Sequence, residues 1–187
     1  MATATSRPAS ALETVRETPT VCLPALRVLG QLLSSYIVAE GPDGLYLIDQ
    51  HAAHERILFE QVKAQWSRQE VEVQGLLEPA PIEVDPEQEE TLRSRYEDLG
   101  QFGFSIEPFG DRTYLVRTVP ALLYDRDWVG VVRELLDSLS GGDWAEKMSI
   151  SIACHSAIRA GQTLTDDEMR ELVRQMEQTA NPRTCPH

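Results

Sequence analysis

Apolar and polar positions change period along the chain, and these changes predict where strands give way to helices. Residues 28–40, VLGQLLSSYIVAE, are rich in strand-forming apolar side chains, and a shorter apolar run follows at residues 44–48. The Gly-Pro-Asp-Gly sequence at 41–44 has the composition of a tight turn. We therefore expect the two runs to form an antiparallel hairpin.

A helix is predicted directly after this hairpin. Neither Gly nor Pro occurs between His51 and Gly75, and helix formers such as Ala52 and Ala53 occupy the beginning of that stretch. The expected helix covers residues 51–68.

The middle and the end of the chain predict further strands and helices. Pro86 suits the first turn of a helix and Gly100 suits the position just past its end. We expect a strand at 75–84 interrupted by two prolines, a helix at 86–99, paired strands at 104–108 and 113–119, and a helix at 127–139. After the break at Gly141 and Gly142, two more helices are expected at 144–160 and 165–178, separated by Gly161.

This order of elements predicts an α+β fold in which one small unit is inserted into another. Residues 1–19 combine Ala, Thr, Ser, Pro and charged residues with few large apolar groups, so a disordered linker is expected there. The outer unit is predicted to comprise residues 20–73 and 144–187, and the inserted unit residues 74–143.

The chain is strongly acidic, with a formal net charge of -13 over 187 residues. Acid is concentrated at residues 83–90 and at Asp166, Asp167, Glu168 and Glu171, which we interpret as solvated helix faces and caps. A protein that grips DNA by itself normally presents a basic face that displaces counterions from phosphates. If the substrate is nucleic acid, another domain or a partner must therefore deliver it.

The sequence also bears on the cellular compartment. No apolar stretch is long enough to cross a membrane and no secretory signal is evident, so a cytoplasmic protein without a membrane partner is expected. The chain has three cysteines, a low and odd number that argues against a disulfide scaffold. We assign Cys22 to packing or chance.

The segment DQHAAHERILFE, residues 49–60, concentrates metal-binding side chains where a strand ends and a helix begins. His51 and Glu55 are four residues apart and share one helical face, while Asp49 precedes the first turn. An Asp, a His and a Glu that converge in this way suit a divalent metal ion. The alternative is that Asp49 only caps the helix, His51 is an ordinary surface residue and Glu55 is a solvated charge.

Two further thiols have a metal-binding context. Cys185 and His187 flank a proline, and residues two apart in an extended segment point to the same side, so both can reach one ion. Thiolate and imidazole favour Zn²⁺. Cys154 lies in SIACHSAIRAG on a predicted helix, where it is either a further ligand or a small buried apolar residue.

Together these segments resemble the C-terminal domain of MutL-type DNA mismatch-repair proteins that carry their own nicking activity. Residues 49–60 match the pattern D-Q-H-A-x2-E-x4-E, and ACHSAIRAG and the terminal CPH follow in the family's order. The resemblance covers residues 21–187. It implies a dimerisation and metal-site subdomain with an inserted regulatory subdomain.

The resemblance also implies a set of site residues. The implied metal ligands are Asp49, His51, Glu55, Cys154, Cys185 and His187, of which Asp49, His51 and Glu55 are catalytic. Glu60 matches the pattern too, but it lies about 140° around the helix from Glu55, so we expect a supporting role. Zn²⁺ is expected in a structural or regulatory role, with Mn²⁺ or Mg²⁺ as the catalytic ion. The family pattern continues past CPH with Gly-Arg-Pro, and a tail that cannot fold back would leave the metal site incomplete.

Residues 74–79, QGLLEP, are similar to the segment by which such domains dock onto the replication sliding clamp. An extended peptide can present Gln74 and Leu77 to separate pockets of a partner, with Pro79 closing the segment. The alternative is an ordinary edge strand whose pairing ends at Pro79.

The resulting hypothesis is a homodimeric, metal-dependent endonuclease domain that nicks duplex DNA during mismatch repair in the bacterial, nucleoid-associated cytoplasm. Apolar residues on both faces of the strand VLGQLLSSYIV support the dimer. The implied partners are duplex DNA, the sliding clamp and a mismatch-recognition protein of the MutS type. The alternative function is a non-catalytic dimerisation and clamp-docking module with a structural zinc.

Overall fold

Two three-stranded antiparallel sheets and their helices make up the part of the chain that the structure describes. The structure is a computed structural model that describes residues 23–138, 143–159 and 161–182. The predicted linker at 1–19, Cys22, the Gly141-Gly142 break, Cys185 and His187 lie outside these residues. The α+β fold class is confirmed.

The first sheet is a meander of three strands, β1 (Arg27–Leu32), β2 (Tyr36–Gly41) and β3 (Gly44–Asp49). The turn at 41–44 is confirmed, with Gly41 opposite Gly44. The expectation of one strand across 28–40 was wrong, because the chain turns at residues 33–35. Leu33 and Ser34 adopt positive φ angles of 53° and 49° there. Neither Gly nor Pro marks this turn in the sequence. Contacts with the following helix hold the turn instead.

Helix α1 (Gln50–Arg68) begins at the end of β3, as predicted. It meets apolar surfaces in succession along its length. Ala53 and Ile57 pack with the first sheet, whereas Leu58 and Phe59 pack with Ala153 of a later helix and with Ala157 just past its end. The buried residues of α1 all lie between Gln50 and Val62, so this part of the helix is enclosed on several sides, whereas residues 63–68 are exposed or half-buried.

The second sheet has the order β4-β6-β5, formed by β4 (Val73–Glu83), β5 (Ser105–Pro108) and β6 (Thr113–Pro120). The predicted pair of strands at 104–108 and 113–119 is confirmed. Helices α2 (Pro86–Ser94), α3 (Tyr96–Gln101) and α4 (Trp128–Ser138) accompany the sheet, with a short 3₁₀ turn at Ala121–Leu123.

The single helix expected at 86–99 was wrong, because it breaks at Arg95 into α2 and α3. Arg95 leaves the helical conformation with φ −113° and ψ 14°. Its guanidinium lies 5.8 Å from the centre of the Trp144 ring, and the neighbouring Tyr96 hydroxyl donates to the carbonyl of Ile106. These long-range contacts favour the break. Gly100, expected beyond the helix, lies inside α3.

The last two helices are α5 (Trp144–Ser156) and α6 (Asp166–Glu177). Helix α5 ends before residue 160, where the sequence predicted its end, because Ala157 turns to extended geometry and the peptide groups of Ile158 bond to side chains of α1. Helix α6 has a capping box in which Thr165 and Glu168 bond reciprocally. Asp85 and Gln88 form another at α2. Asp85 and Glu168 thus confirm that part of the concentrated acidic residues serve as helix caps.

Helix α1 contributes to both of the larger hydrophobic cores. One lies between the first sheet, α1 and α6, and the other lies around the second sheet and α2 to α4. Val62 of α1 and Met148 of α5 belong to the second core. The boundaries drawn at residues 73 and 144 therefore remain a prediction. None of the helices within the described residues is both long and apolar enough to span a membrane.

Phe102 offers a test of the second core. Its ring is fully buried between Trp66 and Trp144, with both ring-centre distances at 5.6 Å. Phe102→Ala should lower the free energy of unfolding by about 3–5 kcal/mol, because the cavity cannot fully close. Phe109→Ala is the matched control, since Phe109 is 70% exposed and should cost almost nothing. Urea unfolding followed by tryptophan fluorescence measures both, and equal losses would contradict this packing.

Candidate metal centre

The N-terminus of α1 is capped by Asp49. Its Oδ1 accepts hydrogen bonds from the backbone N–H groups of His51 and Ala52, at 2.9 and 3.0 Å. The capping role considered for Asp49 is therefore confirmed. Capping and metal binding are compatible, because both described hydrogen bonds end on one oxygen of an exposed carboxylate.

His51 and Glu55 lie side by side on α1, as their spacing predicted. The Nε2 atom of His51 is 3.4 Å from Oε1 of Glu55. Glu55 is buried, so its interpretation as a solvated charge was wrong. Burial of a carboxylate is costly unless positive charge or hydrogen bonds compensate it.

The hydrogen bond on the other side of the His51 ring fixes its tautomer. Nδ1 lies 2.8 Å from the carbonyl oxygen of Ile158, which can only accept, so Nδ1 carries the proton. In the neutral ring the lone pair of Nε2 then faces the carboxylate of Glu55. Two acceptors at this distance repel each other unless a proton or a metal cation lies beside both. As a pair of ligand atoms, His51 Nε2 and Glu55 Oε1 therefore fit a cation.

The distance between the two donor atoms also fits. Two ligands of a tetrahedral Zn²⁺ ion, each bound at about 2.0–2.1 Å, lie about 3.3 Å apart. The pair at His51 and Glu55 matches this spacing at 3.4 Å. Within the described residues, however, no group of three or more His, Cys, Asp or Glu side chains is placed to hold a metal ion. The remaining ligands, including Cys185 and His187, stay predictions.

His54 is a further residue of the site, which sequence reasoning passed over. Its Nδ1 accepts the backbone N–H of Ile158 at 2.9 Å. His51 thus binds the carbonyl group of Ile158, and His54 binds its N–H group. Burial, and then the charge of Arg126, lowers the pKa of His54 to about 4, which keeps the ring a neutral acceptor at neutral pH. The three-residue spacing of His51 and His54 was the available signal.

Glu60 contacts the segment that leads to the C-terminal thiol. Its carboxylate accepts the backbone N–H groups of Ala180 and Asn181, at 2.9 and 3.3 Å. Cys185 follows a few residues later, outside the described residues. The position of Glu60 is consistent with the supporting role expected for it.

Cys154 lies on α5, whose residue Ala153 packs against α1 beside Ala157 just past the helix end. Cys154 is half-buried, and the choice between a metal ligand and a small apolar residue stays a prediction. The next residue, His155, lies 3.1 Å from Oε2 of Glu134, and the same oxygen accepts the hydroxyl of Ser151 at 3.0 Å. These contacts fix α5 against α4.

Two arginines provide positive charge near the candidate metal ligands of this acidic chain. Arg159 follows Ile158 directly, and Arg126 is close enough to His54 to affect its pKa. Neither guanidinium forms an ion pair with a carboxylate of the described residues. Both side chains are exposed, so they are accessible to an anion.

The predicted docking segment bulges from the edge of the second sheet. Strand β4 pairs with β6 up to Gly75 and again from Ala80, so residues 76–79 leave the ladder. Leu77 is 94% exposed, and Leu76 packs against the core. The alternative that pairing ends at Pro79 was wrong, because Ala80 resumes it. Gln74 is exposed and has its backbone in the ladder opposite Val119.

The outer face of the first sheet carries a leucine patch, defined here as Leu32, Leu45 and Leu47. Leu45 and Leu47 are 73% and 61% exposed, and Leu32 is also exposed. On the opposite face, Ile37 and Ala39 are fully buried. The sheet therefore has apolar side chains on both faces, as the sequence predicted.

The family model described as "MutL C terminal dimerisation domain" matches residues 29–164. A protein named DNA mismatch repair protein MutL from Koribacter versatilis is 41% identical over 172 residues, which are 88% of this chain and 27% of that protein.

Relatives of the same name show similar coverage. The one from Phenylobacterium zucineum is 42% identical over 84% of this chain and 26% of its own length. The one from Methanoculleus marisnigri is 40% identical over 88% of this chain and 29% of its own length. The chain thus spans less than a third of these relatives.

Proposed function

Because the chain belongs to the family of MutL C-terminal dimerisation domains, we propose that it joins two subunits of a mismatch-repair protein and nicks duplex DNA with a bound metal ion. The observation that carries the proposed nicking activity is the pair of ligand atoms His51 Nε2 and Glu55 Oε1, 3.4 Å apart, whose spacing and chemistry fit a cation beside a buried carboxylate and an imidazole. The names of the relatives support a place in DNA mismatch repair.

Dimerisation is proposed to use the leucine patch of the first sheet. An antiparallel sheet normally buries one face and leaves a polar face in water, whereas this sheet exposes large leucines opposite its core. A second copy of the same sheet would remove this apolar surface from water and form an isologous interface.

The proposed chemistry is hydrolysis of a phosphodiester bond. Asp49, His51 and Glu55 would hold the ion that acts on the phosphate, with Cys154, Cys185 and His187 as the further ligands of the metal centre. When bound, the ion would supply Lewis acidity that polarises the scissile phosphate and makes water a better nucleophile.

The chain's own residues orient this site and attract the substrate. His51 keeps its Nε2 available because Nδ1 donates to Ile158, and His54 fixes the same residue's N–H group. Glu60 anchors the segment that leads to Cys185. The exposed guanidiniums of Arg126 and Arg159 would attract DNA phosphates, although an acidic chain still requires delivery by other domains or partners.

Two kinds of metal are proposed for two kinds of ligand. The thiolate and imidazole groups of Cys185 and His187 favour Zn²⁺ in a structural or regulatory role. The carboxylates favour Mn²⁺ or Mg²⁺ as the ion that performs the chemistry. The second candidate function, a non-catalytic dimerisation and clamp-docking module with a structural zinc, is favoured by the absence of a three-ligand group within the described residues.

The bulge at residues 76–79 is proposed to dock onto the replication sliding clamp, which would also deliver the DNA. Leu77 projects into solvent while its neighbour Leu76 is anchored in the core, so the bulge is held in place and its apolar tip is available. A mismatch-recognition protein of the MutS type is proposed as a further partner.

If the leucine patch forms the dimer interface, a single charge placed in the patch should separate the two subunits. Leu47→Asp should yield monomers at tens of micromolar protein, because pairing would bury the new carboxylate without a partner. Leu77→Asp, the same change at a still more exposed leucine outside the patch, should leave the dimer mass unchanged. Multi-angle light scattering measures both. A monomeric unmodified protein, or a dimeric Leu47→Asp variant, would contradict the proposed interface.

The docking segment predicts a loss of clamp binding without a loss of fold. Replacing both Gln74 and Leu77 by Ala should weaken clamp affinity by at least about tenfold, because both side chains would contact the partner. Circular dichroism and dimer mass should not change. Leu76→Ala is the contrasting variant, expected to lower stability because Leu76 packs on the core. A double variant that unfolds or loses its dimer would show instead that QGLLEP is structural.

Substitutions of Asp49 can separate the effect of its charge on the metal centre from its role as a helix cap. Asp49→Asn keeps an oxygen for the N–H groups of His51 and Ala52, so helix, dimer and some zinc should remain. Nicking of supercoiled plasmid in Mn²⁺ should fall by at least about a hundredfold, because an anionic ligand is lost. Asp49→Ala should lose about 1 kcal/mol of stability in addition.

Elemental analysis beside the nicking assay separates the two metal roles. Cys185→Ala should reduce zinc content directly, whereas Asp49→Asn should mainly reduce nicking. Undiminished nicking by the Asp49→Asn protein would contradict the catalytic role and leave Asp49 as a helix cap. Full activity with no zinc bound would contradict the role of the thiolate.

A further inference from the structure

Gln50 is a fully buried amide between two proposed metal ligands, Asp49 and His51. Its Nε2 donates to the carbonyl of Ser34 at 2.8 Å and to the carbonyl of Gln162 at 2.9 Å. Its Oε1 accepts from Nε2 of Gln31 at 2.6 Å. All three hydrogen bonds join segments that are distant in sequence.

Gln31 completes the network from strand β1. Its Nε2 also donates to the carbonyl of Gln162 at 3.0 Å, and its Oε1 accepts the backbone N–H of Leu164 at 3.3 Å. The backbone N–H of Gln50 in turn donates to the carbonyl of Ser35 at 3.0 Å. The two amides thus tie together the turn at 33–35, the start of α1 and the segment before α6.

The first of these segments borders the leucine patch. Leu32, a patch residue, leads directly into the turn, and Leu33 in the turn is 80% exposed. The turn has two consecutive residues with positive φ, an arrangement that costs free energy for side chains other than Gly. Contacts from Gln50 therefore maintain a turn that its own sequence does not favour.

The other connected segments border the metal centre. Gln50 is the first residue of α1, so its position also sets the positions of Asp49 and His51. The segment that contains Gln162 and Leu164 follows Ile158, which His51 and His54 hold. A shift of the turn would move the carbonyl of Ser34 and thereby disturb the amide that lies between the two ligands.

We infer that the Gln31–Gln50 amide pair is a positioning device that couples subunit pairing at the leucine patch to the geometry of the metal centre. This inference rests on the proposed dimer and site. Contact with a partner at Leu32 and Leu33 would fix the turn, and the amide pair would transmit that order to α1 and to the segment of Leu164. Because coupling between two sites is reciprocal, order at the centre would also favour pairing.

The alternative is that the amides only satisfy buried polar groups. In that case their removal would lower stability, since the carbonyls of Ser34 and Gln162 would lose a donor. It would not change how strongly pairing affects the segment of Leu164. A double-mutant cycle separates these two roles, because it measures the coupling itself.

The test combines Leu47→Asp, which removes pairing, with Gln50→Met, which removes the amide at similar volume. Hydrogen–deuterium exchange of the Ile158 and Leu164 amides is measured in the unmodified protein, in each variant and in the double variant. Leu47→Asp should accelerate exchange about tenfold when Gln50 is present and less than about twofold when Met replaces it. Gln61→Met, an exposed glutamine of the same helix, is the matched control and should preserve the tenfold effect.

The possible failures are distinguishable. Equal acceleration with and without the Gln50 amide would overturn the coupling and leave the dimer and the nicking proposal unaffected. A monomeric unmodified protein would overturn the proposed dimer and, with it, this inference. Exchange uses neither metal nor DNA, so an inactive nuclease does not affect the result.

A second variant covers the case in which Gln50→Met does not fold. Gln31→Met leaves the bonds from Gln50 to Ser34 and Gln162 in place. It removes the acceptor for Leu164 together with the donor to Gln50 Oε1 and to the carbonyl of Gln162. It should abolish the effect of Leu47→Asp at the Leu164 amide and retain it at Ile158. An undiminished effect at Leu164 would overturn the inference.

Discussion

The structure depends on the burial of one helix on several sides. Helix α1 packs on the first sheet through Ile57, on α5 through Phe59 and on the second core through Val62. Its axis is therefore fixed by apolar contacts that no single residue controls. Because its first residues follow the strand β3 without a loop, the position of the helix also places Asp49 and His51. Packing energy from most of the protein thus defines the geometry of a few polar atoms.

The side chains around Ile158 supply hydrogen-bond partners that this packing makes necessary. Helix α5 ends close to α1, and the N–H and carbonyl groups of Ile158 need partners that its own helix does not provide. His51 and His54 supply one donor and one acceptor. The end of one helix and the tautomer of a proposed ligand are consequently set by the same two hydrogen bonds. A structural requirement and a chemical one coincide here.

The sequence predicted the features that depend on local patterns. Helix α1, the turn at 41–44 and the pair β5 and β6 follow from periodicity and from the placement of Gly and Pro, and they are confirmed. The break at Arg95 and the early end of α5 depend on contacts with Trp144, Ile106 and α1, so no local pattern marks them.

The same distinction applies to the site. The closeness of His51 and Glu55 follows from helical spacing, which a sequence displays directly. The role of His54 does not, because its partner Ile158 is 104 residues away in the chain. The buried amide of Gln50 is equally hidden, since its partners lie on a turn without Gly or Pro and on the segment before α6.

The bulge in β4 has a consequence for solubility. Strand β4 lies at the edge of the second sheet and, at 11 residues, is long enough to template the strand of another molecule. The departure of residues 76–79 from the ladder interrupts its row of backbone donors and acceptors, and Pro79 and Pro81 remove two N–H groups. An incoming strand would therefore find no continuous edge to pair with. The irregularity that exposes Leu77 also protects the protein against β-type aggregation.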